Sequence, residues 1–410
     1  MPTLHWNGKK ISAVTPAALK LDSVIYPNAA GWPGTNAPNQ LFMGDNLAVM
    51  AALLPEYEGR INLIYTDPPF FTNRHFAARI GRGEDSRKPR EWQLAAGYAD
   101  QWDTPDAYID FLYQRLALMV KLLAEDGTLY LHLDWHADAY ARLLLDELMG
   151  SENFLNEIIW AYHGPSPIRS AFNRKHDTIL VYTKSSKYTF NADAVRVPYN
   201  NSTIKTFSAS TKAGFGKVPD LERGKVPEDW WYFPVVARLH NERTGYPTQK
   251  PEILLERIIM ASSNPGDLVA DFFCGSGTTP LVAARLGRRF IGVDATFRAI
   301  HTARERLVRA GAPPFSIHHA NTENIHIYDD TSMFESSQSQ VVLAGGDIPT
   351  YWEVDPAWDG AVFRSKHQAC LPLRSGEIAK AVAISGLDGA KNICVRYVTQ
   401  NGEPVQKMVK

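Results

Sequence analysis

The four residues Asp67-Pro68-Pro69-Phe70 combine a carboxylate, two rigid residues and an aromatic ring. They follow Ile61–Thr66, an apolar run that predicts a buried strand, and ligands meet a parallel sheet at the carboxyl ends of its strands. The two prolines fix φ and remove backbone donors, which leaves carbonyl oxygens free to accept hydrogen bonds. An isolated motif of this kind is more often a Pro-Pro turn beside a core phenylalanine, so its interpretation depends on context.

The chemistry that suits these residue types is activation of an exocyclic amine on a nucleobase. Such an amine is a poor nucleophile because its lone pair is delocalised into the ring. The Asp67 carboxylate and the Pro68 carbonyl, both accepting from the NH2 group, would favour a tetrahedral nitrogen and stabilise its developing positive charge. Phe70 would stack on a base turned out of the duplex, which chemistry on a base requires.

A second cluster predicts a nucleoside site. The strand Leu268–Phe273 runs into Cys274-Gly275-Ser276-Gly277-Thr278-Thr279, and a helix and a strand ending at Asp294 follow. The glycines permit a tight turn close to a ligand, and the helix N-terminus offers unpaired N–H groups. Asp294, 23 residues after Asp271, is placed to accept both hydroxyls of a ribose. An ordinary tight turn between strand and helix is the alternative interpretation.

The elements around both clusters alternate between short apolar strands and amphipathic helices, such as those predicted at 107–123 and 138–149. That alternation indicates an α/β fold with a parallel sheet covered on both faces. The predicted organisation is an irregular N-terminal arm (1–40), a catalytic domain (41–310) with a polar insert (191–245), and a β-rich C-terminal module (311–410).

With both clusters in hand, the chain resembles the beta class of DNA amino-methyltransferases, and within it the modification subunits of type III restriction-modification systems. In that class the catalytic motif precedes the cofactor motif, as it does here. Other matching pieces are Gly44-Asp45-Asn46-Leu47, Asp126-Gly127-Thr128 and Tyr246-Pro247-Thr248-Gln249-Lys250-Pro251. The resemblance covers roughly residues 41–310.

The resemblance implies a Rossmann-like S-adenosylmethionine-dependent methyltransferase fold, with a mostly parallel seven-stranded sheet and a circularly permuted motif order. It implies methyl transfer from S-adenosylmethionine to adenine N6 in double-stranded DNA by base flipping. Asp67, Pro68, Pro69 and Phe70 would hold the target base. The cofactor pocket would comprise Asp45, Asn46, Thr248, Gln249, Lys250, Asp271, Phe272, Gly275, Ser276, Gly277 and Asp294.

Two other functions stay open. Cytosine-N4 methylation uses the same physics, although related N4 enzymes usually carry serine where Asp67 stands. A catalytically idle DNA-binding subunit of a restriction-modification system is the other. Cytosine-C5 methylation needs a thiolate, normally after a proline in that family, and none of the three cysteines follows a proline. The resemblance also suggests a homodimer and a restriction subunit as partners.

Bulk properties exclude several classes. The 410 residues contain no apolar run near the roughly 20 needed to span a bilayer, and no signal-peptide pattern. The cysteines form no CxxC pair, and His132 and His136 lack ligand spacing, so no metal site is predicted and a reducing cytoplasm fits. The net charge of −1 shifts the search for a DNA surface to local basic clusters.

Three segments are candidates for contact with DNA. Arg74–Arg90 is rich in arginine and is predicted to be a mobile loop that closes over DNA. The loop from His163 to His176 is also basic, and a Trp230-Trp231-Tyr232-Phe233 cluster is either core or a base-stacking surface. Each has the ordinary alternative of a solvated loop or a packed core.

The chain also contains a second Asp-Pro motif, Asp355-Pro356-Ala357-Trp358. No buried strand of comparable quality is predicted before it, and it lies in the β-rich module. We therefore expect a simple turn there.

Overall fold

The structure, a computed structural model, describes most of the chain. The described residues are 3–34, 37–80, 93–165, 167–209, 219–236, 242–320, 327–328, 333–337, 340–345, 348–372, 377–383 and 392–409. Strands and helices alternate up to residue 319, and short strands follow, as the sequence predicts.

The strands are numbered along the chain. The first twelve are β1 Lys20–Ile25, β2 Asn39–Met43, β3 Ile61–Thr66, β4 Arg74–Ile80, β5 Gln93–Asp100, β6 Leu123–Leu133, β7 Phe154–Ala161, β8 His176–Thr183, β9 Trp230–Tyr232, β10 Leu268–Asp271, β11 Arg289–Asp294 and β12 Phe315–His319. The others are β13 Ile327–Tyr328, β14 Phe334–Ser337, β15 Gln340–Leu343, β16 Tyr351–Asp355, β17 Phe363–Ser365, β18 His367–Cys370, β19 Ala381–Ala383, β20 Ile393–Val398 and β21 Pro404–Val409.

The main sheet of the described chain has the order β17-β1-β12-β2-β11-β10-β3-β6-β8-β7-β9. The strands from β12 to β6 run parallel, and β8 runs antiparallel to both of its neighbours. From β10 the chain crosses to β11 on one side, whereas from β3 it proceeds to β6 on the other. This reversal makes a crevice at the carboxyl ends of β10 and β3, where open α/β sheets bind ligands.

The expected seven-stranded sheet is present as β2-β11-β10-β3-β6-β8-β7, but four more strands extend it. The prediction of an irregular arm is wrong for residues 20–25, because β1 pairs with β12 and β17. The strands β12 and β17 come from the predicted C-terminal module, and β9 comes from the polar insert. Each addition depends on a partner distant in sequence, which local periodicity does not reveal.

Helices cover both faces of this sheet. They are α1 Asn46–Tyr57, α2 Pro105–Leu122, α3 Asp138–Met149, α4 Asn201–Ala209, α5 Glu252–Ser262, α6 Thr278–Arg285 and α7 Phe297–Arg309. Residues of α1, α2 and α3 share one buried core with the sheet, and residues of α5, α6 and α7 share the other. None of the helices that the described residues form has the length and apolarity needed to cross a bilayer.

The strands β4 and β5 form a separate two-stranded hairpin beside the crevice. The first part of the predicted basic loop, Arg74–Ile80, is therefore a strand. Arg82, Arg87, Lys88 and Arg90 lie outside the described residues, so the prediction of a mobile DNA-binding loop stays a prediction.

The C-terminal strands form a five-stranded sheet, β13-β21-β20-β16-β18, and a three-stranded sheet, β14-β15-β19. The expectation about Asp355 is wrong in its premise, because the strand β16 before it is buried along its whole length. The predicted turn is confirmed. The two Asp355 oxygens accept hydrogen bonds from the backbone amides of Ala357 at 2.9 Å and Arg364 at 2.7 Å.

Candidate active site

The motif that begins at Asp67 lies at the crevice of the main sheet. Asp67 directly follows β3, between the ends of β10 and β6. Pro68 is buried, and the Pro69 carbonyl accepts a hydrogen bond of 2.9 Å from the Tyr108 hydroxyl. The next residue, Phe71, has a φ of 67°, so the chain leaves the motif through a left-handed bend. The motif is therefore a fixed turn at the ligand-binding edge.

The two carboxylate oxygens of Asp67 have different surroundings. Oδ2 accepts a hydrogen bond from the Lys250 ammonium within an ion pair. Oδ1 is buried and has no hydrogen-bond partner among the residues that the structure describes. A buried acceptor without a donor costs about 1–3 kcal/mol. A ligand amine that donates to Oδ1 would recover that free energy.

Phe70 is half-buried and packs partly against the core. The His132 ring stacks on it, with centroids 5.8 Å apart and an interplanar angle of 29°. The Lys250 Nζ atom lies 5.2 Å from the centroid of the Phe70 ring. The Phe70 ring is thus supported by the His132 imidazole and lies beside the ammonium that pairs with Asp67. A phenylalanine that served only to fill the core would need neither contact.

His132 is held by a buried polar network. Its ring nitrogens lie 2.7 Å from the Tyr65 hydroxyl and 3.2 Å from Asp177 Oδ2, and Tyr162 donates to Asp177 Oδ1 at 2.9 Å. Burial alone would raise the pKa of Asp177, but the hydrogen bond from His132 and the charges of His132 and Lys250 lower it overall. The structure thus places His132 in a buried network and shows its contact with Phe70.

The glycine loop after β10 turns as its sequence predicts. Gly275 and Gly277 have φ values of 47° and 75°. A Cβ atom at Gly277 would lie 2.4 Å from the Cβ of Ala303 in α7, so only glycine fits. A side chain at Gly275 would press on the Tyr246 ring at 3.1 Å. These glycines bring the loop close to both α7 and the loop around residue 246.

Two acids lie at the strand ends beside this loop. Asp294 accepts hydrogen bonds from the Gly275 amide at 3.0 Å and the Thr296 amide at 3.1 Å, while burial raises its pKa. Burial raises the pKa of Asp271 to about 7, although Thr279 and the Phe273 amide donate to it. Asp294 retains lone pairs for further donors, since a carboxylate has about four acceptor positions.

Asp45 and Asn46 form the opposite wall through a residue that sequence reasoning missed. Arg115 of α2 donates to Asn46 Oδ1 at 2.6 Å and to Asp45 Oδ1 at 2.8 Å. Asn46 in turn donates to the Phe272 carbonyl at 2.7 Å. The only local signal for Arg115 is a charged residue within a buried stretch of α2. Its partners are about 70 residues away, so no sequence spacing identifies them.

The loop at 244–250 forms another part of the wall of the site. Its residues Thr248, Gln249 and Lys250 were all predicted to hold the cofactor, but their contacts differ from one another. Gln249 accepts from Thr244 at 3.0 Å and donates to the Glu242 carbonyl at 2.7 Å, so its amide holds the loop itself. Thr248 has a φ of 57° and lies 3.2 Å from the Tyr98 hydroxyl of β5. Lys250, predicted as a cofactor residue, points its ammonium at Asp67.

A cavity of about 400 Å³ joins these parts, within the roughly 300–1,000 Å³ of small-molecule sites. Twelve of the predicted site residues line it: Asp45, Asn46, Asp67, Pro69, Thr248, Gln249, Lys250, Asp271, Phe272, Gly275, Ser276 and Asp294. Pro68, Phe70 and Gly277 do not. Tyr65, Tyr98, Phe111, Arg115, Tyr246 and Thr296 also line it and were not predicted.

The remaining candidates divide between core and surface. Trp231 and Phe233 are buried, whereas Trp230 and Tyr232 are exposed, so the aromatic cluster alternates as a strand does. Cys274 is buried, and burial raises the pKa of its thiol, which opposes a role as a thiolate nucleophile.

Comparison with known proteins assigns the family. The family of DNA methylases of the N6/N4 type matches residues 61–305, which include Asp67, the glycine loop and Asp294. The chain belongs to this DNA methylase family. The match ends before the C-terminal strands, so residues 306–410 are outside what the family accounts for.

Individual relatives agree with this assignment. The DNA adenine methyltransferase YhdJ of Escherichia coli (strain K12) is 32% identical over 276 residues, which cover 66% of this chain and 83% of that protein. The type II methyltransferase M2.DpnII of Streptococcus pneumoniae is 30% identical, over 65% of this chain and 88% of its own length. A solved structure of TTHA0409 from Thermus thermophilus, complexed with S-adenosyl-L-methionine, aligns with 70% of this chain and 99% of its own at 22% identity and a TM-score of 0.44, too distant to add to the assignment.

Proposed function

We propose that this DNA methylase transfers a methyl group from S-adenosylmethionine to the N6 amine of adenine in duplex DNA. The observation that carries the proposal is the buried Oδ1 of Asp67, which has no hydrogen-bond partner among the described residues and lies at the edge of the cavity that the glycine loop also lines. The adenine specificity is supported by the relative named as a DNA adenine methyltransferase, at 32% identity. Cytosine N4 is the second candidate, because the family includes both kinds of amine.

The cavity suits the cofactor. The left-handed glycines at 275 and 277 bring backbone close to a ligand, and Asp294 keeps acceptor positions for ribose hydroxyls. Asp45 and Asn46, fixed by Arg115, would close the other side. S-adenosylmethionine supplies an electrophilic methyl group when it is bound.

The residues at Asp67 would orient the amine and stabilise charge. The amine nitrogen would form a bond to the methyl carbon as the bond from that carbon to sulfur breaks and its electron pair stays on sulfur. Positive charge would therefore develop on nitrogen until one amine proton is lost to solvent. Asp67 Oδ1 and the Pro68 carbonyl would accept from the amine hydrogens and favour the tetrahedral nitrogen. The amine proton becomes acidic only after the methyl group has begun to transfer, so Asp67 need not act as a strong base.

Lys250 contributes a second charge to this step. Its ammonium fixes Asp67 Oδ2, which leaves Oδ1 directed to the ligand side. The positive charge of the Lys250 ammonium also balances the negative charge of the Asp67 carboxylate before DNA binds. This matters because the same cavity contains a second buried acid, Asp271. We therefore assign Lys250 to the positioning of Asp67, in addition to its place in the cavity wall.

The domain limits and the partners are proposals as well. We retain residues 41–310, together with the strands that extend the sheet, as the catalytic domain, and 191–245 as the target-recognition insert. The homodimer, the restriction subunit, the cytoplasmic location and the likeness to type III systems also stay predictions. The curated relative M2.DpnII is named a type II methyltransferase.

The decisive experiment is to map modified bases in DNA from a host that expresses the chain. Single-molecule sequencing identifies both the modified base and its sequence context. We expect N6-methyladenine at one short motif, and none with the Asp67→Ala variant. N4-methylcytosine at a defined motif would transfer the proposal to the second candidate. Unmodified DNA, with cofactor binding intact, would support the idle DNA-binding subunit.

A further inference from the structure

The described part of the loop between β7 and β8, residues 162–165 and 167–175, lies at the catalytic edge of the sheet. Its base is closed by a hydrogen bond of 3.0 Å from the Tyr162 amide to the Lys175 carbonyl. Asp177, just beyond that base, lies 3.2 Å from His132, the residue that stacks on Phe70. One continuous set of contacts therefore connects the base of this loop with the ring assigned to the target base.

The tip of the loop is a closed structure that presents one aromatic ring to solvent. The Asn173 side chain accepts from the Ile168 amide at 3.1 Å and donates to the Ile168 carbonyl at 3.2 Å. Within this clasp Phe172 is 98% exposed. Pro165 and Pro167 restrict the backbone conformation of the segment that leads to the tip, because each fixes φ. Phe172 thus lies almost fully exposed on a restrained tip, and no hydrophobic contact with it is seen among the described residues.

Three cationic residues of the same loop lie close to Phe172 in the sequence. Arg169 and Arg174 are exposed, and the partly buried Lys175 follows Arg174 at the base of the loop. The Arg174 guanidinium lies 4.0 Å from the ring centroid of Trp135, in the turn directly after β6. That contact links the loop to the end of β6, the neighbour of β3 in the sheet, and Asp67 directly follows β3. The loop thus carries one exposed aromatic ring and three cationic side chains, and duplex DNA attracts cations through its phosphates.

Extruding a base leaves a gap in the stack that must be filled. Proteins that distort duplexes insert apolar side chains such as phenylalanine between base steps. A fully exposed phenylalanine has no benefit for the folded monomer, since its burial is what stabilises a protein. The exposed aromatic residues Trp230 and Tyr232 are less suited, because β9 is the outermost strand, four positions from β3 in the sheet.

We propose that Phe172 inserts into the duplex beside the target adenine and occupies the space that the base leaves when it enters the cavity. The inference rests on the proposed function, since it requires a flipped base. Arg169, Arg174 and Lys175 would contact the phosphates on either side of the insertion. Phe172 is thus a positioning residue for the substrate and takes no part in the transfer itself.

The test uses the full chain and a short duplex that contains the mapped motif, with 2-aminopurine in place of the target adenine. The fluorescence of 2-aminopurine rises when it leaves the stack. We expect Phe172→Ala to lose most of that rise and to lower kcat/KM on the unmodified duplex about tenfold or more. Phe172→Leu, which keeps an apolar wedge, should recover a large part of both. Cofactor binding, measured by calorimetry, should be unchanged because the residue is exposed.

A second duplex separates insertion from a general effect on binding. An abasic site opposite the target adenine removes the pair that must be broken, so Phe172→Ala should come within about threefold of the wild type on it. Tyr188→Ala provides the matched control, because Tyr188 is a partly exposed aromatic residue beyond the other end of β8 and should change neither readout.

The outcomes distinguish the two proposals. A wild-type chain that methylates no DNA would contradict the proposed function, whatever Phe172 does. A wild type that methylates its motif, with a Phe172→Ala variant that keeps the full fluorescence rise, overturns the insertion. A defect equally large on the abasic duplex also overturns it.

Discussion

Asp67 and Asp355 both lie at the carboxyl end of a buried strand and precede a proline, yet their carboxylates have different hydrogen-bond partners. Both Asp355 oxygens accept from backbone amides, those of Ala357 and Arg364, in a side chain with 0% exposure. Asp67 has one oxygen on a lysine and one that is buried without a described partner, at the wall of a large cavity. The first carboxylate holds a turn, and the second is available to a ligand.

The comparison shows that strand context does not separate a catalytic carboxylate from a structural one. The sequence-based distinction rested on a buried strand before Asp67 and none before Asp355, and both strands exist. What differs is the sheet. Asp67 lies where parallel strands diverge into a crevice, whereas β16 is paired on both sides by antiparallel strands.

The largest difference in turnover is expected between two single variants, Asp67→Ala and Asp355→Ala. Asp67→Ala should reduce turnover by about a thousandfold or more, because it removes the charge that stabilises the transition state. Its binding of S-adenosylmethionine should stay within a few-fold. Asp355→Ala should keep turnover per folded molecule but lower the free energy of unfolding by about 1–3 kcal/mol, since two partly buried backbone amides lose their acceptor. Methyl-transfer assays and denaturant titration measure the two, and the opposite pattern would place the active site elsewhere.

A smaller effect is expected from Lys250→Met, which keeps the aliphatic stem and removes the ammonium. Without the charged hydrogen bond from Lys250, the Asp67 side chain is no longer held in one orientation. Turnover should therefore fall about ten- to a hundredfold. Lys184→Met is the matched control, because this half-buried lysine donates to the Val120 carbonyl at the opposite edge of the sheet. If single-turnover rates are unchanged in Lys250→Met while cofactor affinity falls, Lys250 belongs to the cofactor and not to Asp67.

The glycine-loop half of the site is tested by Asp294→Ala. The carboxylate fixes the Gly275 amide and is the proposed acceptor for ribose hydroxyls, so affinity for S-adenosylmethionine should weaken about tenfold. Calorimetry gives the dissociation constant directly. Undiminished affinity would remove Asp294 from the ribose role while leaving the assignment of Asp67 intact.

The pH dependence of stability extends the comparison to Asp271. Burial raises the pKa of Asp271 from 3.8 to about 7, so folding disfavours the ionised form of this carboxyl relative to the unfolded chain. Its contribution to stability is complete below the unfolded value and is lost as pH rises from about 4 to 7, with a slope of at most about 1.4 kcal/mol per pH unit. Asp271→Asn should flatten that decline in denaturant titrations. An unaltered profile would contradict the raised pKa.

Much of the fold was predictable because its signals are local. The run of apolar residues in β3, the glycine loop after β10 and the apolar period of α2 each lie within one element. The bounds of α3 agree with the prediction at both ends. The strands β1 and β9 were missed, since a short strand is stabilised by the strands it pairs with and not by its own pattern.

The sequence by itself determined which residue types the chemistry would use: an acid with two prolines and a ring after one strand, and glycines with an acid around another. Each is a requirement of backbone geometry or of hydrogen-bonding capacity, and both are properties of a few consecutive residues. Only the tertiary structure decided what those groups contact. The pairing of Lys250 with Asp67, the support of Phe70 by His132 and the anchoring of Asp45 by Arg115 span 62 to 183 residues, as the positions at their ends show. Contacts of that length depend on how every intervening strand is placed in the sheet, and no local pattern records it.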